Sequence, residues 1–230
     1  MTKQLNSNSK PQDILSRLRN IPCAVVCDAM HVLKMPSSTF DSSVKHMAGP
    51  SFIGYARTVD RFSDAMNARQ HNFDDELFLG TQLVIDDLEK DSVLVVGVGG
   101  DTSGAIWGAN MATRARAMGA VALVTDGSVR DIGQMDGIGI SVFAQGNSPR
   151  VNFTQIVTRS INLPVVCAGV LVRPGDIVKG DRDGVVVIPF EDAEKVATKA
   201  IEIEVVENEM IEFIANGNSL VSAIKKYKQR

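Results

Sequence analysis

Residues 97–131 read GVGGDTSGAIWGANMATRARAMGAVALVTDGSVRD. The run ahead of them, VLVV at 93–96, is apolar, of strand length, and ends in glycines. Past the glycines, Ile106, Met111, Ala115 and Met118 fall at spacings that line one face of a helix. Gly119 closes that pattern, and a second apolar run at 121–124 leads through Asp126-Gly127 to Arg130-Asp131. Strand, glycine turn, helix and strand make a βαβ unit, whose crossover forces the two strands to run parallel. The helix's amino end carries unpaired N–H groups and the positive end of its dipole, so it favours an anion. Arg130-Asp131, just past the second strand, reaches the same edge of the sheet. Ligands of open α/β sheets bind beyond the carboxyl ends of strands. The candidate site lies there.

The totals narrow the classes. A chain of 230 residues is long enough for a real core, and 44% hydrophobic with 22% charged residues is ordinary for a globular protein. A net charge of −3 argues against a broad phosphate-binding surface, and so against nucleic acid as a partner. No apolar run reaches the roughly eighteen residues of a membrane span, and no membrane partner is expected. The first residues, MTKQLNSNSKPQD, are polar and lack the apolar stretch of a signal peptide. Residues 1–10 are expected to be a disordered tail and 11–230 one domain. The three cysteines, an odd number, suggest no disulfide framework, which fits a reduced, cytoplasmic setting. Cys23 and Cys27 are helix-spaced, but no other Cys or His joins them at ligand spacing, so two core-facing residues are favoured over a metal pair.

Outside the central unit, residues 12–20 suit a short helix with Ile14, Leu15 and Leu18 inward, and Pro22 suits the first turn of a second helix. Asp28 and His31 on that second helix are assigned structural roles. Residues 34–50 form a loop, and 52–59 have strand character. Residues 61–73, with His71, are polar and poorly patterned. Asp74, Asp75 and Glu76 then open a helix whose apolar face is Leu77, Leu83, Val84 and Leu88. After Asp131, residues 140–144 form a strand and 146–149 a turn. Residues 163–171, LPVVCAGVL, are apolar throughout, as in a strand covered on both faces. Pro174-Gly175-Asp176 marks a turn, and Asp181 to Gly184 a hairpin, whose carboxylates are read as turn chemistry rather than as metal ligands. A long helix follows from Glu191 to about Ala215, stopped by Asn216-Gly217, and then a short basic-ended one.

Familiar catalytic patterns are absent. The cluster Gly97, Gly99, Gly100, Gly104 does not fit a dinucleotide fingerprint, and neither a P-loop nor HExxH occurs. What the chain does carry is Cys27-Asp28-Ala29-Met30, Trp107-Gly108, Ala112-Thr113, Ala115-Arg116-Ala117 and Gly119. The series continues with 125–131 (TDGSVRD), 142–146 (VFAQG) with Ser148-Pro149, 173–176 (RPGD) and 180–189 (GDRDGVVVIP). This ordered set resembles the class II 4-hydroxy-4-methyl-2-oxoglutarate / 4-carboxy-4-hydroxy-2-oxoadipate aldolases, a family that includes the regulators of ribonuclease E activity (RraA-like proteins).

The resemblance implies an α/β domain with a central β-sandwich, of α/β/β/α swivelling-domain type, assembled as homotrimers or homohexamers. It implies that Arg130 binds the pyruvyl part of a small 2-oxo acid and acts in catalysis. Asp131 would hold a divalent ion, Mg²⁺ first and Mn²⁺ second. Backbone N–H groups over Gly108, Ala109, Asn110 and Met111 would hold the substrate carboxylate. The implied activity is metal-dependent aldol cleavage, oxaloacetate decarboxylation, or both. The alternative is a regulator that binds a ribonuclease or another protein. Two positions depart from the family: Ala109 stands where aldolases carry an acid, and Gln134 where relatives often do. Asp101, or a glutamate from a neighbouring subunit, is the expected substitute.

Overall fold

The computed structural model describes residues 12–36, 38–63, 76–151 and 156–227. The expectations for residues 1–10, for His71, Asp74 and Asp75, and for the side chain of Leu77 fall outside these. Helices α1 (Gln12–Leu18) and α2 (Cys23–Val32) come first, with Ile14, Leu15 and Leu18 buried as expected. Strands β1 (Lys45–Ala48) and β2 (Phe52–Ser63) and helix α3 (Glu76–Asp86) follow. The βαβ unit is β3 (Ser92–Gly97), β4 (Ala105–Trp107), α4 (Ala109–Ala117) and β5 (Ala120–Val129). Then come α5 (Ile132–Ile138), β6 (Ser141–Asn147), β7 (Ile156–Ile161), β8 (Val165–Cys167) and β9 (Val170–Val172). The hairpin β10 (Ile177–Asp181) and β11 (Gly184–Ile188) precedes α6 (Ala193–Ala215) and α7 (Leu220–Tyr227).

Nine strands form one mixed sheet in the order β1-β6-β5-β3-β2-β10-β11, with β4 joined to β5 and β7 to β2. β3 pairs parallel with β5, as the crossover requires. Strand alternation sends Val93 and Val95 to one core and Leu94 and Val96 to another. The first core is enclosed by the sheet itself, from β6 through β5, β3 and β2 to β10 and β11, with β8 and β9 also lining it. Helices α3, α4 and α5 cover one outer region, and α1, α2 and α6 cover another. The result is a mixed α/β domain whose sandwich is a single sheet curled on itself, nearly closed.

Several local expectations are corrected. Ile106 lies on β4, not on the helix, because 105–107 pairs with β5 in parallel before the helix begins. Residues 34–50 contain β1, which pairs antiparallel with β6. Residues 132–138 are helical, and β6 continues through Gly146 and Asn147, where a turn was expected. Residues 163–171 are not one strand. Ala168 (φ 46°) and Gly169 (φ 81°) turn the chain back, so β8 pairs with β9. Val166 and Leu171 are consequently 61% and 46% exposed, rather than covered on both faces. On α3, Leu83 faces outward, while Val84, Ile85 and, just past the helix, Leu88 supply the buried face.

Candidate functional site

β4 and β5 bring the site together. Trp107 pairs with Val129 in parallel register, and the amide of Arg130 donates to the carbonyl of Trp107 at 3.0 Å. The chain after Trp107 passes through Gly108 into α4, while the chain after Arg130 turns through Asp131 into α5. Asp131 makes that turn with φ 59° and ψ 30°, a left-handed conformation that aspartate tolerates better than most residues. Its carbonyl accepts from Gln134 at 2.9 Å. Its carboxylate is thereby sent back to α4, where Oδ2 accepts the amide of Ala109 at 3.1 Å. Nε of Arg130 lies 3.6 Å from the same oxygen.

Gly108 is the hinge of this arrangement. Its backbone is extended, so the glycine is not there for its torsions. It is there for space: a Cβ at 108 would meet Asp131 Oδ2 at 2.8 Å and Arg130 Nε at 3.0 Å. Any side chain would push both functional groups away. Within α4 the first intrahelical bond runs from Ala112 to the carbonyl of Gly108. The amide of Ala109 is therefore committed to Asp131, and those of Asn110 and Met111 have no acceptor inside the helix. Beside them a cavity of about 110 Å³ is lined by Arg130, Trp107, Asn110, Met111, Gln82 and Val151, among others. The side chains of Arg130 and Asp131 remain 34% and 33% exposed, open enough to meet a ligand.

The remaining candidates fall elsewhere. Asp101 does not line the cavity, and its Oδ1 accepts the amide of Ser103 at 2.9 Å. Burial pushes its carboxyl up, but bonds from Ser103 and Ser63 and the charge of Arg150 outweigh this and hold it low. It is thus an ionised turn residue whose side chain lies outside the cavity lining. Gln134 is exposed on α5. Cys23 is buried, and its amide donates to Asp181 Oδ2 at 2.8 Å. Oδ1 of Asp181 caps the β10–β11 turn by accepting from Asp183. Both oxygens of the Asp181 carboxylate thus bind backbone amides of the fold. Asp28 and His31 line a second hollow of about 310 Å³ on the α2 side.

One acid of the TDGSVRD run has a role that the sequence did not single out. Asp126, 4% exposed, accepts from Val98 at 2.6 Å, Gly100 at 3.1 Å and Ala168 at 3.3 Å. It ties the glycine loop after β3 and the β8–β9 turn to β5. The signal was present, since only an acceptor can bind the N–H groups of a loop in which Gly99 and Gly100 have φ of 66° and 77°. Its partners could not be named without the fold.

A family model described as RraA-like, aldolase/RraA, matches residues 23–187. The chain belongs to the RraA-like aldolase family. One such relative, from Halalkalibacterium halodurans, carries the name "Putative 4-hydroxy-4-methyl-2-oxoglutarate aldolase". It is 29% identical over 82% of each chain. Protein DlpA of Legionella pneumophila is 26% identical over 97% of this chain, which spans only 35% of DlpA. Among solved structures, the Streptomyces coelicolor RraA-like protein RraAS2 aligns with a TM-score of 0.73 and 25% identity. That alignment covers 86% of this chain and 94% of RraAS2, described as an unusual member of the RNase ES inhibitor RraA family. The RraA-like family thus holds both an aldolase name and a regulator description. Among the described residues, no helix is long and apolar enough to cross a membrane.

Proposed function

We propose that this RraA-like protein is a divalent-metal-dependent lyase acting on small 2-oxo acids. The observation that carries the reading is the meeting of Arg130 and Asp131 at the amino end of α4, beside a cavity. The amides of Asn110 and Met111 hold the substrate carboxylate, where the helix end favours negative charge. Arg130 sets its guanidinium beside the keto oxygen on which charge develops as the C–C bond breaks. Ile106, Met111 and Val151 keep the reacting end away from bulk water.

No group of three His, Cys, Asp or Glu side chains converges among the described residues, so a closed protein cage is not available. One partly open carboxylate fits a hard ion that keeps several waters and takes further oxygens from its ligand, which is the habit of Mg²⁺; Mn²⁺ suits the same donors. When bound at Asp131, such an ion supplies a Lewis acid beside the keto oxygen. Retro-aldol cleavage also needs a base for the departing hydroxyl proton, and Ala109 offers none. Decarboxylation needs only the electron sink, so we place this protein nearer a decarboxylase than an aldolase.

The test is turnover of oxaloacetate and of 4-hydroxy-4-methyl-2-oxoglutarate with Mg²⁺, with and without a chelator. Chelator-sensitive turnover is expected, faster on oxaloacetate. No turnover of either acid would remove the lyase reading and favour the second one, a regulator that binds a ribonuclease. That second reading is motivated by the likeness to RraAS2. We further propose a homotrimer or homohexamer. Exposed apolar side chains on α6 (Val205, Ile211) and α7 (Leu220, Val221, Ile224) support self-association. Light scattering that returned one chain per particle would remove this proposal.

A further inference from the structure

Helix α7 uses only part of its apolar surface within its own chain. Ala223 is fully buried, and the Tyr227 ring meets that of Phe213 on α6 edge-on at 6.0 Å. The hydroxyl of Tyr227 also donates to the carbonyl of Glu209 at 3.3 Å. These contacts, one helical turn apart on α7, lay it back along α6. Leu220, Val221 and Ile224 make up the other part of the apolar stripe and are 59%, 62% and 56% exposed. Single exposed apolar side chains are ordinary, but three neighbours on one short helix mark a surface that is covered by something else.

The charges around the stripe select what covers it. Residues 202–212 of α6 hold five glutamates and no lysine or arginine, whereas residues 216–230 hold four cationic residues and no acid. An anionic lipid surface would attract the second set and repel the first, which lies along the same hairpin. A second copy of the hairpin suits both sets at once. Placed antiparallel about a twofold axis, two α7 helices set Val221 of each against Ile224 of the other. The basic end of each then lies beside the turn where α6 of the other copy ends, with Glu212 and the negative end of the helix dipole. Lys225 follows Val221 by one turn, borders the stripe and makes no ion pair among the described residues. We propose that α7 is a twofold docking surface for a second copy of this chain, with Lys225 of each copy paired to Glu212 of the other. This inference rests on the proposed homo-oligomer and selects the homohexamer, two trimers joined by three α7 pairs. One such pair is too small to hold two chains together, but three made at once reinforce one another.

The test is the mass of the full-length particle by sedimentation at micromolar protein. Six chains are expected, and Ile224→Asp should leave three. Lys225→Glu should raise the concentration at which six chains become three by roughly tenfold. Combining Lys225→Glu with Glu212→Lys should return it to within about twofold of the parent. A helix that had merely unfolded would not be rescued by the second charge reversal. Six chains that survive Ile224→Asp, no loss in Lys225→Glu, or no rescue by Glu212→Lys each overturn the proposal. Three chains in the unmodified particle overturn it and leave the homotrimer standing, while one chain removes the oligomer as well. Flotation of such a smaller particle with phosphatidylglycerol vesicles, abolished by Ile224→Asp, would give the stripe to a membrane and overturn the proposal. None of these results bears on the Arg130 site.

Discussion

Asp126 and Asp131 belong to one stretch of chain, the first inside β5 and the second just beyond it, yet the fold uses them oppositely. Asp126 is buried and its two oxygens accept three backbone amides, from Val98, Gly100 and Ala168. Asp131 accepts one amide, lies near one guanidinium and keeps a third of its side chain open. A carboxylate saturated by backbone donors in a dry site has no capacity left for a ligand, and its energy goes into holding loops. One that is partly open retains lone pairs for an ion or for water. Residue type and neighbourhood in sequence are the same; accessibility and the number of donors separate clamp from site.

The sharpest way to break that comparison is Asp126→Ala. It leaves three buried N–H groups unpaired and should cost about 4 kcal/mol in urea unfolding. Asp131→Ala should cost under about 1 kcal/mol, since its partners can turn to solvent. Similar losses from the two substitutions would show that the roles are not divided as described.

Next in size is Arg130→Ala, which should lower kcat/KM on oxaloacetate about a hundredfold, roughly 3 kcal/mol of lost charge stabilisation. The same variant should unfold at nearly the same urea concentration as its parent. A large stability loss with modest kinetics would move Arg130 into the clamp class. Asp131→Asn comes third. It keeps the shape and the Ala109 contact but removes the charge, and should weaken Mg²⁺ binding about tenfold in calorimetry. Unchanged affinity would put the ion elsewhere.

The smallest effect concerns Ala109, the first residue of α4. Ala109→Asp restores an acid at a helix amino end, where the dipole favours it. It should raise aldol cleavage several-fold relative to decarboxylation in a side-by-side assay. Efficient aldol cleavage by the unmodified protein, with no gain on substitution, would mean that a base from a neighbouring subunit already serves. Asp101 of the same chain is tied to Ser103 and would not be that base.

Much of this was legible without coordinates, wherever local pattern and burial agree. The strand at 93–96, the parallel crossover, the β10–β11 hairpin and the long helix after Glu191 all appeared as read, because apolar period and turn residues act over a few neighbours. The misreadings share a cause. Ile106 fits a helical period, yet pairing with β5 held 105–107 extended. The run 163–171 is uniformly apolar, so its pattern did not reveal that Ala168 and Gly169 fold it back on itself.

Composition and order in the chain determined that a glycine turn, a helix end and an Arg-Asp pair share one sheet edge, since the handedness of a crossover leaves little choice. Only the tertiary structure decided that the space over Gly108 is taken by the side chains of Arg130 and Asp131. It also decided that Asp126 is spent on distant amides, and that Gln82 on α3 reaches the cavity of Trp107 on β4. Those contacts join residues far apart in the chain. Such pairings depend on how the whole sheet curls and where each helix packs upon it, which no local pattern encodes.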